Sequence, residues 1–126
     1  MILVDTSVWI GHLRSEDRRL TTLLNRDQVL IHPMVLGELA CGNLRNRKEI
    51  LSLLGGLPRI LVADHDEVLF FIERHQLMGS GIGYVDAHLL ASTALTQSAR
   101  LWTHDLRLAK VASELHLADL MSFDTL

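Results

Sequence analysis

A single cysteine in 126 residues, Cys41, leaves nothing with which to form an internal disulfide. That excludes a disulfide-stapled secreted scaffold, and with no His or Asp signature of a thiol nucleophile around it Cys41 reads as a small core residue. The start of the chain lacks a basic segment followed by an apolar stretch and a small-residue cleavage site, so a reducing cytoplasm is the expected location. No apolar run approaches the length of a bilayer span, which excludes a membrane-crossing helix. Linkers rich in proline, glycine or serine, repeats and low-complexity tracts are also missing, and one domain over residues 1–126 is expected. An excess of positive charge is absent too: the formal net charge is −3 and the pI is near 6.1. The molecule as a whole does not advertise nucleic-acid binding as a basic domain would. Two local groups remain, Arg14, Arg18 and Arg19, then Arg45, Arg47 and Lys48. Either is a solvated helix face or a set of phosphate contacts, for which Arg14, Arg18, Arg45 and Arg47 are the candidates.

What the chain does have is apolar content, 48% of its residues, enough for one substantial core in a chain of this size. Short apolar runs recur at Ile2–Val4, Val29–Ile31, Ile60–Val62, Leu101–Trp102 and Leu120–Met121, most of them separated by segments long enough for a crossover helix. That alternation predicts an α/β fold, a three-layer α/β/α sandwich around a mainly parallel sheet. Thr6 and Ser7 are plausible caps for a first helix, a second runs from Asp17 to Leu24, and Pro33 opens a third that reaches about Gly42. Asp64 and Asp66 start another that continues through Leu69 and Ile72.

Four acids stand in unusual places. Asp5 directly follows the apolar run "MILV", where a carboxylate is out of keeping with burial. On a helical wheel Glu38 falls beside Met34, Val35, Cys41 and Gly42, at an apolar margin. Asp86 lies in the first turn of a helix entered through "GIGYVDAHLLASTA", with Leu89, Leu90 and Thr93 following at helical spacing. Asp105 follows the strand candidate in "RLWTHDLRLAKVA". For Asp86 and Asp105, helix capping is the simpler role when each is taken alone. Together they fit a ligand site, because parallel α/β sheets place such sites beyond the carboxyl ends of their strands. Four converging carboxylates repel one another and lose hydration, so they call for cations or protons. Hard oxygen ligands select Mg²⁺ or Mn²⁺, held by one or two direct carboxylates with water completing the octahedron.

These residues, Asp5-Thr6-Ser7, Glu38 in "LGELACG", Asp86 in "YVDAHLLASTA" and Thr103-x-Asp105, resemble the motifs of the PIN-domain ribonucleases, and specifically the VapC toxins of type II toxin–antitoxin systems. The resemblance spans nearly the whole chain. It implies a metal-dependent endoribonuclease in which Asp5, Glu38, Asp86 and Asp105 bind Mg²⁺ or Mn²⁺ and orient the attacking water, Asp5 centrally and Asp105 least directly. Ser7 and Thr103 would orient carboxylates or water, alongside ordinary capping. It also implies an RNA substrate, a homodimer, and a cognate VapB-type antitoxin that brings a basic side chain to the acidic pocket.

Other residues receive plainer readings. No pair of histidines shows the facing helical spacing of a zinc site, and His88 reads as a packing or subunit-surface residue. His104 is a possible substrate contact, while Trp9 and Trp102 read as core aromatics before RNA-stacking platforms. Leu36, Leu39, Leu51 and Leu54 suit an interface or the core equally. Two other functions fit less well. A haloacid-dehalogenase-like phosphatase needs a second acid where this chain has Ser7, and a receiver-like module needs a late lysine that is not evident. A catalytically silent PIN binding module is the remaining alternative.

Overall fold

In a computed structural model, which describes residues 1–119, the apolar runs pair as parallel strands. β1 (Ile2–Val4), β2 (Val29–Leu30) and β3 (Arg100–Trp102) lie in the order β2-β1-β3. Ile2 pairs with Val29 and Arg100, and Leu3 with Leu30 and Leu101, so β1 is the central strand. Seven helices surround the sheet: α1 (Thr6–Arg14), α2 (Arg18–Asn25), α3 (Pro33–Ala40), α4 (Arg47–Gly55), α5 (His65–Arg74), α6 (Tyr84–Leu95) and α7 (Leu106–Glu114). The result is the expected α/β sandwich. Leu3, Val4, Leu30 and Leu101 are buried by the helices, which is why these strands are apolar without alternation. Each such side chain removed from water contributes about 1.5–3 kcal/mol.

Local chemistry sets the helix starts. Pro33 occupies the first position of α3, where its missing N–H costs nothing. Asp17 caps α2 by accepting from the Leu20 N–H at 3.0 Å. Asp64 and Glu67 form a reciprocal capping box at α5. Along α6, Ala87 to Thr93 are all buried, so this helix is the inner support of its layer.

Three expectations are corrected. Ile60–Val62 is not a strand: pairing there shrinks to one parallel bridge between Ile31 and Arg59. The reason is competition, since the Leu61 N–H donates to Thr96 Oγ1 and the Ala63 N–H to Ser92 Oγ, leaving Leu61 and Val62 exposed. Cys41 is exposed. It caps the end of α3 two residues past Leu39, so it points away from the buried Val35 and Leu39 stripe. Thr6 and Ser7 are not caps; Asp5 holds the N-cap position of α1 and they form its first turn. Leu120–Met121 lies outside the described residues, although just before it Ala118 bridges Leu101 in parallel. Leu39 and Leu54 are core residues, with Leu36 and Leu51 packed against them. Trp9 and Trp102 are buried, as expected.

His32 joins two layers from within. Its Nδ1 accepts the Met34 N–H at the start of α3, so its Nε2 carries the proton and donates to Ser92 Oγ on α6, 3.0 Å away. His88, also buried, packs edge-on against it with ring centroids 4.8 Å apart. Burial, with help from His88 and Arg59, holds the His32 imidazole down at about 4.

Candidate active site

β1 stops at Val4 and α1 begins at Thr6, so Asp5 is the whole connection between them. Its N–H extends the ladder to the Trp102 carbonyl at 2.9 Å, and its carbonyl accepts from Val8 and Trp9 to start the helix. An N-cap aspartate ordinarily bonds the amides of the first turn. Asp5 makes no such bond. Its Oδ2 instead accepts from Ser7 Oγ at 2.8 Å and Thr103 Oγ1 at 2.7 Å. Those hydroxyls accept in turn from the His104 N–H and the Asp105 N–H, both at 3.0 Å. Each hydroxyl thus has its proton directed at Asp5 and its lone pair occupied from behind, which fixes the carboxylate plane. Oδ1 accepts no hydrogen bond among the described residues and is left for a ligand.

The other acids enter from three helices. Glu38, exposed near the end of α3, accepts from Thr6 Oγ1 at 2.6 Å, which ties it to the residue after Asp5. Asp86, half-buried in the first turn of α6, accepts the Gly83 N–H through Oδ2 at 3.2 Å. Asp105 fulfils the capping role: its Oδ1 accepts from Arg107 and Leu108 at the start of α7. Burial raises the Asp86 carboxyl above its ordinary 3.8; the Gly83 N–H opposes this, while the charges of Asp5, Asp105 and Glu38 raise it further. Asp86 therefore feels the charge of all three other acids. The place is the one topology favours, outside the carboxyl ends of β1 and β3 where the strand order reverses about β1.

The donor set is carboxylate oxygen, which suits a hard divalent cation. Among the described residues, no three His, Cys, Asp or Glu side chains stand close enough to enclose an ion by themselves. Such spacing suits an ion carried by one or two carboxylates, with water and a phosphate completing its shell.

Comparison with known proteins agrees with this geometry. The PIN-domain family pattern matches residues 2–114. This chain belongs to the PIN-domain family. Ribonuclease VapC32 from each of two Mycobacterium tuberculosis strains is 52% identical to this PIN domain over 114 residues, 90% of this chain and 92% of the relative. That places it in the VapC branch.

In this PIN domain four of the six residues singled out in the sequence form one hydrogen-bonded set, with Glu38 and Asp86 at its edge. Asp5, Ser7 and Thr103 are joined by hydrogen bonds, with Asp105 attached through its N–H to Thr103. Glu38 joins through Thr6, the middle residue of the Asp5-Thr6-Ser7 motif, to which the sequence assigned no role beyond capping. Asp86 is joined by charge alone. Several basic residues turn out to be committed elsewhere. Arg19 pairs with Asp119 and lies over the Trp102 ring, 4.6 Å from its centroid. Arg47 donates through Nε and Nη2 to the Ala40 carbonyl, closing the end of α3. His104 is exposed beside the site, and its N–H, not its ring, bonds Ser7. Sequence reasoning passed over Arg107, whose only signal was its position two residues after Asp105.

Proposed function

We propose that this PIN domain, acting as one unit over residues 1–126, is a metal-dependent endoribonuclease and the toxin of a type II toxin–antitoxin pair. The observation that carries the reading is Asp5: a carboxylate at the end of the central strand that declines its capping role and is aimed by two hydroxyls. The 52% identity to proteins named ribonuclease VapC32 supports the same activity. When bound, Mg²⁺ or Mn²⁺ supplies a water of lowered pKa and balances charge developing on the phosphate. Asp5 would be the central ligand, with Glu38 and Asp86 as ligands or proton acceptors around it and Asp105 the least direct. Thr103 and Ser7 hold Asp5 in the orientation that ligation needs. Glu38 or Asp86 would orient the attacking water and accept its proton as the water oxygen bonds to phosphorus. The 3′ or 5′ oxygen then leaves with the electrons of the broken P–O bond and is protonated by water.

A cognate VapB-type antitoxin, a homodimer and a cytoplasmic location complete the proposal. A cleft of about 680 Å³ opens beside Glu38, its apolar wall of Ile10, Leu13, Leu39, Leu44 and Ile50 rimmed by Arg14, Asn43, Arg45 and Asn46, which suits an amphipathic antitoxin segment. Phe70 is 66% exposed and shares a groove with Leu95, which supports self-association through α5 and α6. No described helix is long and apolar enough to cross a membrane.

The test is cleavage of total cellular RNA by purified protein, with Mg²⁺ or Mn²⁺ and with chelator, comparing the native chain with Asp5→Ala. Discrete fragments that need metal and disappear in the variant are expected, and added antitoxin should suppress them. Equal cleavage by both proteins would reject the assignment.

A further inference from the structure

We infer that Arg107 is a substrate-holding residue, its guanidinium taking a backbone phosphate of the RNA beside the acidic pocket. The inference rests on the ribonuclease reading and adds to it a residue in contact with substrate. Arg107 stands in the first turn of α7, where its N–H donates to Asp105 Oδ1 at 2.9 Å. Its side chain runs back across Gly81, in the segment whose Gly83 N–H bonds Asp86. It therefore bridges the two elements that deliver Asp105 and Asp86.

The crossing depends on glycine. A Cβ placed on Gly81 would stand 2.9 Å from Arg107 Cδ and 3.4 Å from both Nε and Nη1. Gly81 also has φ +87, a conformation that side chains rarely adopt. The bare backbone thus forms a track along which the arginine stem lies flat.

What lies at the end of the track is unspent. Arg19 is engaged with Asp119 and Trp102, Arg47 with Ala40, and Arg100 with the Ala99 carbonyl. The Arg107 guanidinium, exposed, has no ion pair or hydrogen bond among the described residues, although Asp105 stands two positions before it and its stem crosses the segment that leads to Asp86. It does not lower Asp86 either, whose one opposing influence is the Gly83 N–H. A planar fork of donors at the rim of an acidic pocket matches a phosphodiester, which the carboxylates themselves repel. A phosphate neighbouring the scissile one would be drawn to Arg107 while the scissile group faces the acids.

The experiment measures binding apart from catalysis. Asp5→Asn protein, expected to bind RNA without cutting it, is titrated into a labelled, mixed-sequence, single-stranded RNA oligonucleotide over a range of salt concentrations by fluorescence anisotropy. Adding Arg107→Ala should weaken binding about tenfold, the value of one charge-assisted contact. It should also reduce the slope of log K against log salt by about 0.7, one phosphate contact on a single strand. Arg107→Lys should keep the slope and lose part of the affinity, because the charge stays and the fork is lost. Gly81→Ala should behave like Arg107→Ala although the arginine is still present. Unchanged affinity and slope in Arg107→Ala, with the parent binding well, would overturn the role of Arg107 and leave the ribonuclease reading standing. A parent protein that binds no RNA would overturn both.

Discussion

Asp86 carries the energetic burden of the acidic pocket. Its carboxyl is raised in the folded chain by burial and by Asp5, Asp105 and Glu38. Below its ordinary 3.8 it is protonated in both states and makes no difference to stability. Above that value the unfolded chain releases the proton first, so stability falls as pH rises through the interval and stays lower beyond it. Asp86→Asn keeps an oxygen for the Gly83 N–H and removes the charge. It should therefore melt at a higher temperature than the native chain at neutral pH in chelator, with the difference fading under acid conditions. Adding Mg²⁺ should stabilise the native chain more than the variant, because a ligand that binds only the folded state shifts unfolding by mass action. Thermal scans with and without the cation check both statements; a variant that melts lower in chelator would contradict the burden assigned to Asp86.

Between elements, His32 links the helix that brings Glu38 to the helix that brings Asp86 through Met34 and Ser92. Its pKa is depressed to about 4 from 6.5. The unfolded chain thus binds the proton first as pH falls from 6.5 toward 4, and stability drops across that window by up to about 3 kcal/mol. Urea unfolding as a function of pH should show this acid limb. His32→Asn, which retains a capping oxygen for Met34, should flatten it; a limb of equal steepness in the variant would assign the loss to other groups. Elements of this kind show how far local pattern reaches. β1, the start of α5 near Asp64 and the placement of the four acids at strand ends and helix turns are legible because apolar runs and helix starts are written in consecutive residues. The fate of Ile60–Val62 is not, because Thr96 and Ser92 claim its amides from about 30 residues away. Arg107 was passed over for the same reason: its significance lies in Gly81, which only the fold places beneath it.

At the scale of the whole molecule, the apolar groove shared by Phe70 and Leu95 is rimmed by Asp64, Asp66 and Glu67. If a second copy covers it, Phe70→Asp should convert the dimer to a monomer in sedimentation analysis without lowering the melting temperature, because Phe70 is mostly exposed in one chain. A dimer unaffected by the change would move the interface elsewhere. The active pocket spans the molecule in another sense. Thr103 donates to Asp5 across 98 positions of sequence, beside the nearer Ser7. During synthesis Asp5 therefore emerges well before Thr103, and its carboxylate is aimed only once both have folded together. A product truncated ahead of Thr103 would lack one of the two hydroxyls that orient Asp5, so RNA cleavage should be lost with it.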